Sequence, residues 1–341
     1  MSAISSAELK AWAAETGLDL IGVAPAGPTP HWKQFREWVE AGYAGEMAYL
    51  SRTDALLRRE DPRRILSGAR TVLVVAVSVA SPIPQVVPPL HGRVALYAWR
   101  GDYHRWLLQK LTALVDTIAG AAGGEIPSRC YVDTGPLIER DWAAAAGLGW
   151  IGRNGCLINP RLGSHLLLGV ALLGIELPPT PEATLPTCGS CTRCVDACPT
   201  QAIVAPGVID SRRCLSYLTI EHRGAIPESL RSALGDRVFG CDVCQQVCPW
   251  NARPLGDQEV GSEGLSTLAL PELLALDEEG FRLRFRATAL WRATPAGLAR
   301  NAAVVLGNLG DPSARGCLTQ AAAGHSSLLV REHALWALGR L

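Results

Sequence analysis

The chain contains a cysteine-rich run, Cys188-Gly-Ser-Cys191-Thr-Arg-Cys194-Val-Asp-Ala-Cys198-Pro199. A second cysteine-rich run follows it, Cys241-Asp-Val-Cys244-Gln-Gln-Val-Cys248-Pro249. Both runs end in the pattern Cys-x-x-x-Cys-Pro. Proline has no backbone N–H to donate and its ring disfavours a continuing helix, so each run predicts a helical turn that stops at its last cysteine. We therefore expect two short helical turns that carry most of the cysteines.

The spacing of the first run is the one with which bacterial ferredoxins bind 4Fe-4S clusters: three cysteines hold one cluster and the fourth crosses to a second. Each cluster takes four thiolates, so the second run is one short unless Cys214, which lies between the runs, completes the count. The crossing rule then predicts two ligand sets, an outer set of Cys188, Cys191, Cys194 and Cys248 and an inner set of Cys198, Cys214, Cys241 and Cys244.

Zinc sites and disulfides are the competing interpretations of paired cysteines. Zinc does not explain why both runs end in Cys-x-x-x-Cys-Pro. Disulfides need an oxidising compartment, and the chain begins Met-Ser-Ala-Ile-Ser-Ser-Ala-Glu without the basic and apolar segments of an export signal. We therefore expect a cytoplasmic protein. Three cysteines occur singly: Cys130, Cys156 and Cys317. An isolated cysteine usually serves as a small buried hydrophobic residue, so we assign these three no chemistry.

The composition fits a compact protein of two or three domains, with 341 residues of which 48% are hydrophobic and 19% charged. The longest apolar runs are about half as long as a membrane span requires, so no membrane partner is expected. Lys plus Arg and Asp plus Glu each number 32, but residues 281–341 carry eight arginines against Asp311 and Glu332, a local charge of +6. This asymmetry indicates either a polyanion site or a solvated helical face.

Helical and strand patterns alternate over residues 1–178, which predicts an α/β (α+β) domain whose sheet is covered on both faces. Residues 71–80 form an uninterrupted run rich in valine, typical of a strand buried on both sides. Asp133 follows the predicted strand 129–132 at a turn, and ligands gather at strand ends in such sheets. The glycine-rich dinucleotide fingerprint is absent, so a nicotinamide site is not predicted.

Two further domains follow in the predicted order. Residues 179–252 form a ferredoxin-like domain, and residues 253–264 are a glycine-rich and charged linker. Within residues 265–341, the segments beginning at Arg300 and Arg331 match at a period of 31 residues, which predicts a HEAT-like helical repeat. Two such units are few for independent folding, so we expect this tail to pack on the rest of the protein. Composition and spacing alone indicate an intracellular iron-sulfur reductase with a basic helical tail.

Several motifs together resemble the epoxyqueuosine reductase family: Asp102-Tyr-His104, Val132-Asp-Thr-Gly-Pro136, Gly149-Trp-Ile-Gly152, Leu157-Ile-Asn-Pro160 and Cys214-Leu-Ser-Tyr. The resemblance extends over essentially the whole chain. It implies a cytoplasmic, cobalamin-dependent enzyme that reduces epoxyqueuosine to queuosine at the wobble position of tRNA, the last step of queuosine biosynthesis. The implied partners are the anticodon stem-loop of tRNA and an unidentified electron donor, and we expect a monomer.

The resemblance also implies roles for individual residues. Asp133 is the expected catalytic proton donor, and burial beside the corrin ring would raise its pKa; without the resemblance it would be interpreted as a turn cap. His104 is expected to support it without binding cobalt. The implied cobalamin contacts are Arg58, Tyr97, Asp133, Asn154, Ser164, Ser216 and Asp242. The implied tRNA contacts are His222, Arg223, Arg282, Arg284 and Arg286.

This chain departs from the common family pattern at two places, which affects the implied contacts there. It has Arg153-Asn-Gly-Cys156 where a Lys-His-Thr-Asn run is common, and Trp99-Arg-Gly-Asp where Gly-Arg-Asp is more frequent. Two alternative functions stay open. One is a reductive dehalogenase-like reductase of a small molecule, which would not use the basic tail. The other is a non-catalytic iron-sulfur electron carrier, which would not use Asp133.

Overall fold

The computed structural model describes residues 4–181, 184–252 and 265–341; the predicted linker at 253–264 lies outside them. Its α-helices are α1 (Ser6–Glu15), α2 (Trp32–Glu40), α3 (Thr53–Glu60), α4 (Tyr103–Ala121), α5 (Glu139–Ala145), α6 (Arg193–Ala197), α7 (Leu215–Ile220), α8 (Glu228–Arg231), α9 (Val243–Gln246), α10 (Leu270–Ala275), α11 (Glu278–Phe285), α12 (Pro295–Leu309), α13 (Arg315–Gly324) and α14 (Leu328–Leu338).

The strands are β1 (Leu20–Pro25), β2 (Thr71–Ser78), β3 (His91–Val94), β4 (Ser128–Tyr131), β5 (Trp150–Ile151), β6 (Leu157–Ile158), β7 (Leu166–Leu173), β8 (Ile203–Ala205), β9 (Val208–Ile209), β10 (Arg237–Phe239) and β11 (Thr267–Ala269). The main sheet has the order β1-β2-β7-β4. Every neighbouring pair in it is antiparallel. Helices and strands alternate in sequence as expected, and the antiparallel pairing makes this domain α+β.

Both faces of the main sheet are covered, as the valine-rich run predicts. All eight residues of β2 are buried. Successive side chains of a strand point to opposite faces, and β2 divides accordingly: Leu73 and Val75 join one apolar core, while Val72 and Val74 join another. The first core contains residues of α4 and the second contains residues of α5. β2 therefore fixes the two helices that begin next to the Asp133 turn and the His104 side chain.

A second, three-stranded sheet joins segments that are far apart in sequence. Its order is β10-β3-β11, so one strand comes from each of the three predicted domains. The larger apolar core likewise runs from Leu9 to Ala337. The expectation that the tail packs on the rest of the protein is borne out by these shared elements, whereas its assignment to the HEAT type stays a prediction, as do the three domain boundaries.

The cysteine-rich segment forms two short helices, α6 and α9, that pack against each other. Each of them ends before the last cysteine of its run: α6 at Ala197 and α9 at Gln246. Cys198 and Cys248 then take extended backbone angles ahead of Pro199 and Pro249. The extended conformation is the one that a residue before proline favours. Among the described residues, no helix is both long and apolar enough to cross a membrane.

Candidate active site and cysteine centres

The outer set of cysteines surrounds one cavity. Cys188, Cys191, Cys194 and Cys248 all line a cavity of about 100 Å³. Burial and the charge of Cys188 raise the pKa of Cys194, with Cys248 adding to the rise, which places these thiols in mutual electrostatic contact. They surround this space without converging on one point: in the described ranges, no three His, Cys, Asp or Glu side chains are grouped so as to hold a single metal ion. The arrangement suits a cluster, which occupies the volume between four thiolates.

The inner set is also brought together. Burial raises the pKa of Cys214, and the charge of Cys198 adds to the rise. Burial raises the pKa of Cys241 to about 11, with Cys214 contributing. The pKa of Cys244 is raised by a hydrogen bond with Cys156, by burial and by the charges of Cys241 and Cys214. The thiols of Cys214, Cys241 and Cys244 therefore resist ionisation until a positively charged centre binds, as iron would.

Asp133 lies two residues beyond β4 in a strained turn. Its φ angle is +58°, a left-handed conformation that few residues other than glycine adopt. Two donors hold the carboxylate: Tyr103 donates from its hydroxyl at 3.0 Å, and His104 contacts the same oxygen through Nε2 at 3.2 Å. The Asp133 N–H donates to the Glu139 carboxylate at 2.6 Å. Backbone strain that is held by several side chains is a common property of functional sites.

The pKa of Asp133 differs from what the sequence predicts. Although 63% of its side-chain surface is exposed, the protein atoms around it partly desolvate the carboxyl, which acts to raise its pKa. The hydrogen bonds from His104 and Tyr103 and the charges of His104 and Arg140 outweigh this effect, so the pKa is lowered. The neighbouring donors therefore stabilise the carboxylate, and the rise expected beside a corrin ring stays a prediction.

Two neighbours of Asp133 hold protons more tightly than usual. Burial opposes the charged form of His104, but hydrogen bonds to Asp133 and to Asp102 (2.7 Å) raise its pKa. Burial raises the pKa of Glu139 to about 8, and the charge of Asp133 adds to the rise. Both neighbours of Asp133 therefore keep their protons to a higher pH than usual, and the Glu139 carboxyl, with a pKa of about 8, is mostly neutral at neutral pH.

Two of the implied cobalamin contacts, Tyr97 and Asp242, lie near this turn, whereas Arg58 does not. Tyr97 packs edge-on against Tyr103 at 5.9 Å, and burial with the charges of Asp133 and Asp242 raises its pKa. Asp242 is buried and accepts the Leu96 N–H at 2.7 Å; burial raises its pKa to about 6. Arg58 instead lies on the surface near Asp54 at 4.0 Å. The adjacent Arg59 is buried, and its Nη1 has no hydrogen-bond partner among the described residues.

Three other implied contacts lie in or beside the cysteine segment. Ser164 donates from its hydroxyl to the Gln245 side chain on α9 at 3.0 Å. Ser216 is half-buried on α7, two residues after Cys214, and within the described residues its hydroxyl has no hydrogen-bond partner. Asn154 is buried in the wall of the outer cavity. Hydroxyl and amide groups of this kind match the many amide side chains that cobalamin carries.

Most of the implied tRNA contacts already have protein partners. His222 contacts Glu46 at 3.2 Å, and Arg223 donates to the Ile220 and Arg292 carbonyl oxygens at 2.9 and 2.8 Å. Arg282 pairs with Glu279 at 3.5 Å and Arg284 with Glu272 at 2.8 Å. Arg286 is exposed and forms no ion pair with any residue that the structure describes.

The structure also corrects the charge argument for the tail. Arg300 is fully buried and donates to the Leu218, His222 and Gly224 carbonyl oxygens. Arg292 forms a two-point ion pair with Glu221, both contacts at 2.8 Å. These arginines therefore stabilise the segment after α7 and add little to a surface charge of +6.

Some residues at the site were not predicted. Glu139 and Cys156 carry no signal in sequence spacing, because only the fold brings Glu139 to Asp133 and Cys156 to Cys244. Tyr103 belongs to the motif that carried the family resemblance, and its role beside Asp133 depends on its position at the start of α4. Arg58 was the expected contact, but its neighbour Arg59 is the buried arginine of α3, because successive residues of a helix point in different directions.

Two family models match parts of the chain. Residues 59–134 match the family model described as epoxyqueuosine reductase QueG, and residues 187–251 match the 4Fe-4S double cluster binding domain. An epoxyqueuosine reductase of Pseudomonas aeruginosa is 39% identical over 341 residues, covering 97% of this chain and 93% of the relative.

Two solved structures are similar over almost the whole length. The epoxyqueuosine reductase of Streptococcus thermophilus superposes with a TM-score of 0.90 at 30% identity, covering 98% of this chain and 89% of the other. An epoxyqueuosine reductase solved with an epoxyqueuosine-modified stem loop of tyrosine tRNA gives a TM-score of 0.88 at 29% identity, with the same coverage. The resemblance predicted from the motifs is thereby confirmed: this chain belongs to the epoxyqueuosine reductase family.

Proposed function

We propose that this protein reduces epoxyqueuosine to queuosine in tRNA, as the last step of queuosine biosynthesis. The observation that carries the proposal is the strained Asp133 turn, whose carboxylate is held by Tyr103 and His104. Family membership supports the substrate, since a similar structure is described with an epoxyqueuosine-modified tRNA stem loop. An electron carrier would have no use for a carboxylate that is positioned in this way.

The two cysteine sets would hold two 4Fe-4S clusters, and their order along the molecule gives the direction of electron flow. The outer set lines a cavity beside Arg193, which is exposed, so it would accept electrons from the donor protein. Asp242 lies between Cys241 and Cys244 of the inner set in sequence. Burial raises the pKa of Tyr97, with the charge of Asp242 contributing, and Tyr97 packs against Tyr103 beside Asp133. Electrons would therefore leave through the inner cluster toward the substrate.

Cobalamin would contact Tyr97, Asp242, Ser164 and Ser216, and Asn154 was also expected to contact it. Ser216 offers a hydroxyl that no other described residue uses, and Asp242 offers a carboxyl that can donate or accept near neutral pH, since its pKa is about 6. When bound, cobalamin would supply a reduced metal centre for the epoxide. Arg58 is too exposed to be a strong candidate, and the buried Nη1 of Arg59 is the better donor at that end of the site.

The protein's own residues would manage the protons. Removing the epoxide oxygen as water takes two electrons and two protons, so an acid must lie close to the leaving oxygen. Because the pKa of Asp133 is lowered, the proton would come from His104 and reach the leaving oxygen through the Asp133 carboxyl; His104 bridges Asp133 and Asp102 and has a raised pKa. Tyr103 and the Glu139 carboxylate would orient Asp133 through its side chain and its backbone N–H.

The anticodon stem-loop would lie against the segment after α7 and against α11. His222, Arg223, Arg282, Arg284 and Arg286 remain the candidates, and Arg286 is the one whose charge is free of an ion pair among the described residues. Phosphate contacts of this kind position an RNA without reading its sequence. We further propose a cytoplasmic monomer, which matches a substrate that large and a reductant that is supplied by another protein.

The test is turnover by purified, anaerobically reconstituted protein. With both clusters and cobalamin loaded and a chemical reductant present, tRNA that contains epoxyqueuosine should be converted to tRNA that contains queuosine, as measured by nucleoside analysis. Protein without cobalamin is the control and should leave epoxyqueuosine unchanged. If the fully loaded protein also leaves it unchanged, while a haloaromatic compound loses its halide, the dehalogenase-like alternative is correct.

A further inference from the structure

Two buried N–H donors without partners line the outer cysteine cavity. Nε of Arg153 and Nδ2 of Asn154 are buried and, within the described residues, form no hydrogen bond. Both residues lie in the wall of the cavity that Cys188, Cys191, Cys194 and Cys248 line. Asn154 is only 5% exposed, so water does not reach its amide freely. Leaving a buried donor unpaired costs about 1–3 kcal/mol, which indicates that an acceptor belongs there.

The orientation of both side chains is fixed by their other polar atoms. The Asn154 carbonyl oxygen accepts the Cys156 N–H at 3.2 Å, which identifies that end of the amide as oxygen and leaves the NH₂ group available. Arg153 donates through Nη2 to the Gly189 carbonyl oxygen at 2.8 Å, beside Cys188. Its guanidinium is thereby held against the first cysteine turn while Nε remains available to a further acceptor.

The cavity limits what the acceptor can be. Apart from the four thiols, its wall consists of Ile158, Pro249 and Trp250 together with Arg153, Asn154 and the exposed Arg193. No carboxylate is among these lining residues, and the apolar side chains exclude water from much of the surface. Among the side chains that line the cavity, the acceptors that remain are sulfur atoms: the cysteine thiolates or, with a cluster bound, its sulfides as well.

We propose that Arg153 Nε and Asn154 Nδ2 donate hydrogen bonds to sulfur atoms of the 4Fe-4S cluster held by the outer cysteines, and thereby raise its reduction potential. The inference rests on the proposed presence of that cluster. Reduction adds one electron and breaks no bond, so the cluster becomes more negative by one charge. N–H donors stabilise the more negative state, and hydrogen bonds to the sulfurs are one of the factors that set such potentials.

The consequence concerns the electron donor. With these two hydrogen bonds, the outer cluster accepts electrons from a weaker reductant than a cluster in an apolar pocket would. The inference also gives Asn154 a different role from the cobalamin contact that the family resemblance implies. Its amide nitrogen serves the cluster, while its oxygen is already used by the chain.

The experiment is a redox titration followed by electron paramagnetic resonance on reconstituted protein, with parent, Arg153→Lys, Asn154→Leu and Arg193→Lys compared. Arg153→Lys keeps the positive charge but has no Nε–H close to its backbone. Arg193→Lys is the matched control, since it changes a cavity-lining arginine that is exposed. We expect one of the two cluster signals to titrate at a more negative potential in Arg153→Lys and Asn154→Leu, and both signals to stay in place in Arg193→Lys.

Two results would overturn the proposal: unchanged potentials in Arg153→Lys, or an equal shift in Arg193→Lys. If Asn154→Leu weakens cobalamin binding and leaves both potentials unchanged, Asn154 is a cobalamin contact and its part of the proposal is wrong. If Asn154→Leu does not fold, Arg153→Lys decides alone. The titration needs no tRNA, so a protein that binds both clusters but does not convert epoxyqueuosine disproves the proposed function without touching this inference.

Discussion

At the scale of single residues, the arrangement of Asp133 predicts the effect of removing its acid function. Asp133→Asn keeps the size and the contacts with Tyr103 and His104 but cannot donate a carboxyl proton. Loss of a positioned general acid typically costs on the order of 10² to 10⁴ in rate. We expect turnover of epoxyqueuosine tRNA to fall by that factor, with cobalamin binding and cluster reduction unchanged. Turnover near the parent rate would make Asp133 a turn cap.

The pKa values around Asp133 predict the pH dependence. The pKa of His104 is raised, so its proton is fully present below the ordinary histidine range and is lost as the pH rises through the raised value. Glu139, whose pKa is about 8, then becomes charged beside the Asp133 carboxylate and repels it. Both changes remove protons from the site, so we expect kcat/KM to fall on the alkaline side.

Two variants separate the groups responsible. His104→Gln should lower turnover at every pH and remove the part of the alkaline decline that His104 causes, while Glu139→Gln should retain activity and shift the decline to higher pH. Rates measured across the pH range with saturating reductant make the comparison. An alkaline decline that is identical in all three proteins would assign it to another group.

At the scale of elements, Arg300 shows how α12 holds the segment after α7. Its guanidinium donates to three carbonyl oxygens in residues 218–224, and it is fully buried. Arg300→Leu would leave those oxygens unpaired, at about 1–3 kcal/mol for each buried group. We expect a clear fall in the melting temperature. Arg315→Leu, on the exposed start of α13, is the control and should change the free energy of unfolding by less than about 0.5 kcal/mol. Equal melting temperatures for both variants would contradict this role.

Helix α11 carries the prediction about tRNA affinity. A triple variant in which glutamine replaces Arg282, Arg284 and Arg286 should bind tRNA more weakly. The slope of the logarithm of the binding constant against the logarithm of the salt concentration should become shallower by about 0.7–0.9 for each phosphate that is no longer neutralised. Because Arg282 and Arg284 are paired with acids, Arg286→Gln alone should produce a large share of the effect. Glu272→Gln frees Arg284 and should not weaken binding. Unchanged affinity of the triple variant at low salt would make α11 a solvated face.

At the scale of the whole molecule, the two cysteine sets predict the metal content. Cys214 is the ligand that completes the inner set, so Cys214→Ala should lower iron and sulfide from about eight per chain toward the four of a single cluster. Cys317→Ala, in a helix of the tail, is the matched control and should keep the full content. Iron and sulfide analysis with Mössbauer spectroscopy measures both proteins. A full complement in Cys214→Ala would reject the assignment.

The sequence could predict those features that depend directly on residue spacing or on local composition. Cys-Pro pairs fix where helices stop, and the valine run of residues 71–80 requires cover on both faces of β2. The antiparallel pairing of β2 with β7 could not be predicted, because both strands are mostly apolar and buried and would suit either direction. The exposed charge of the tail was overestimated for a similar reason: composition counts Arg300 but does not show that it is buried.

The three-stranded sheet has a consequence for how the protein is made. Strand β3 emerges from the ribosome early, but its partners in β10 come much later, since Arg93 pairs with Arg237 and Val94 with Phe239, and β11 comes later still. Cys241 and Cys244 directly follow β10, so they reach their final positions only when this sheet has closed. Contacts between such distant residues form late because the intervening chain must first be ordered. We therefore expect iron-sulfur assembly to be completed after translation, on a chain that has already left the ribosome.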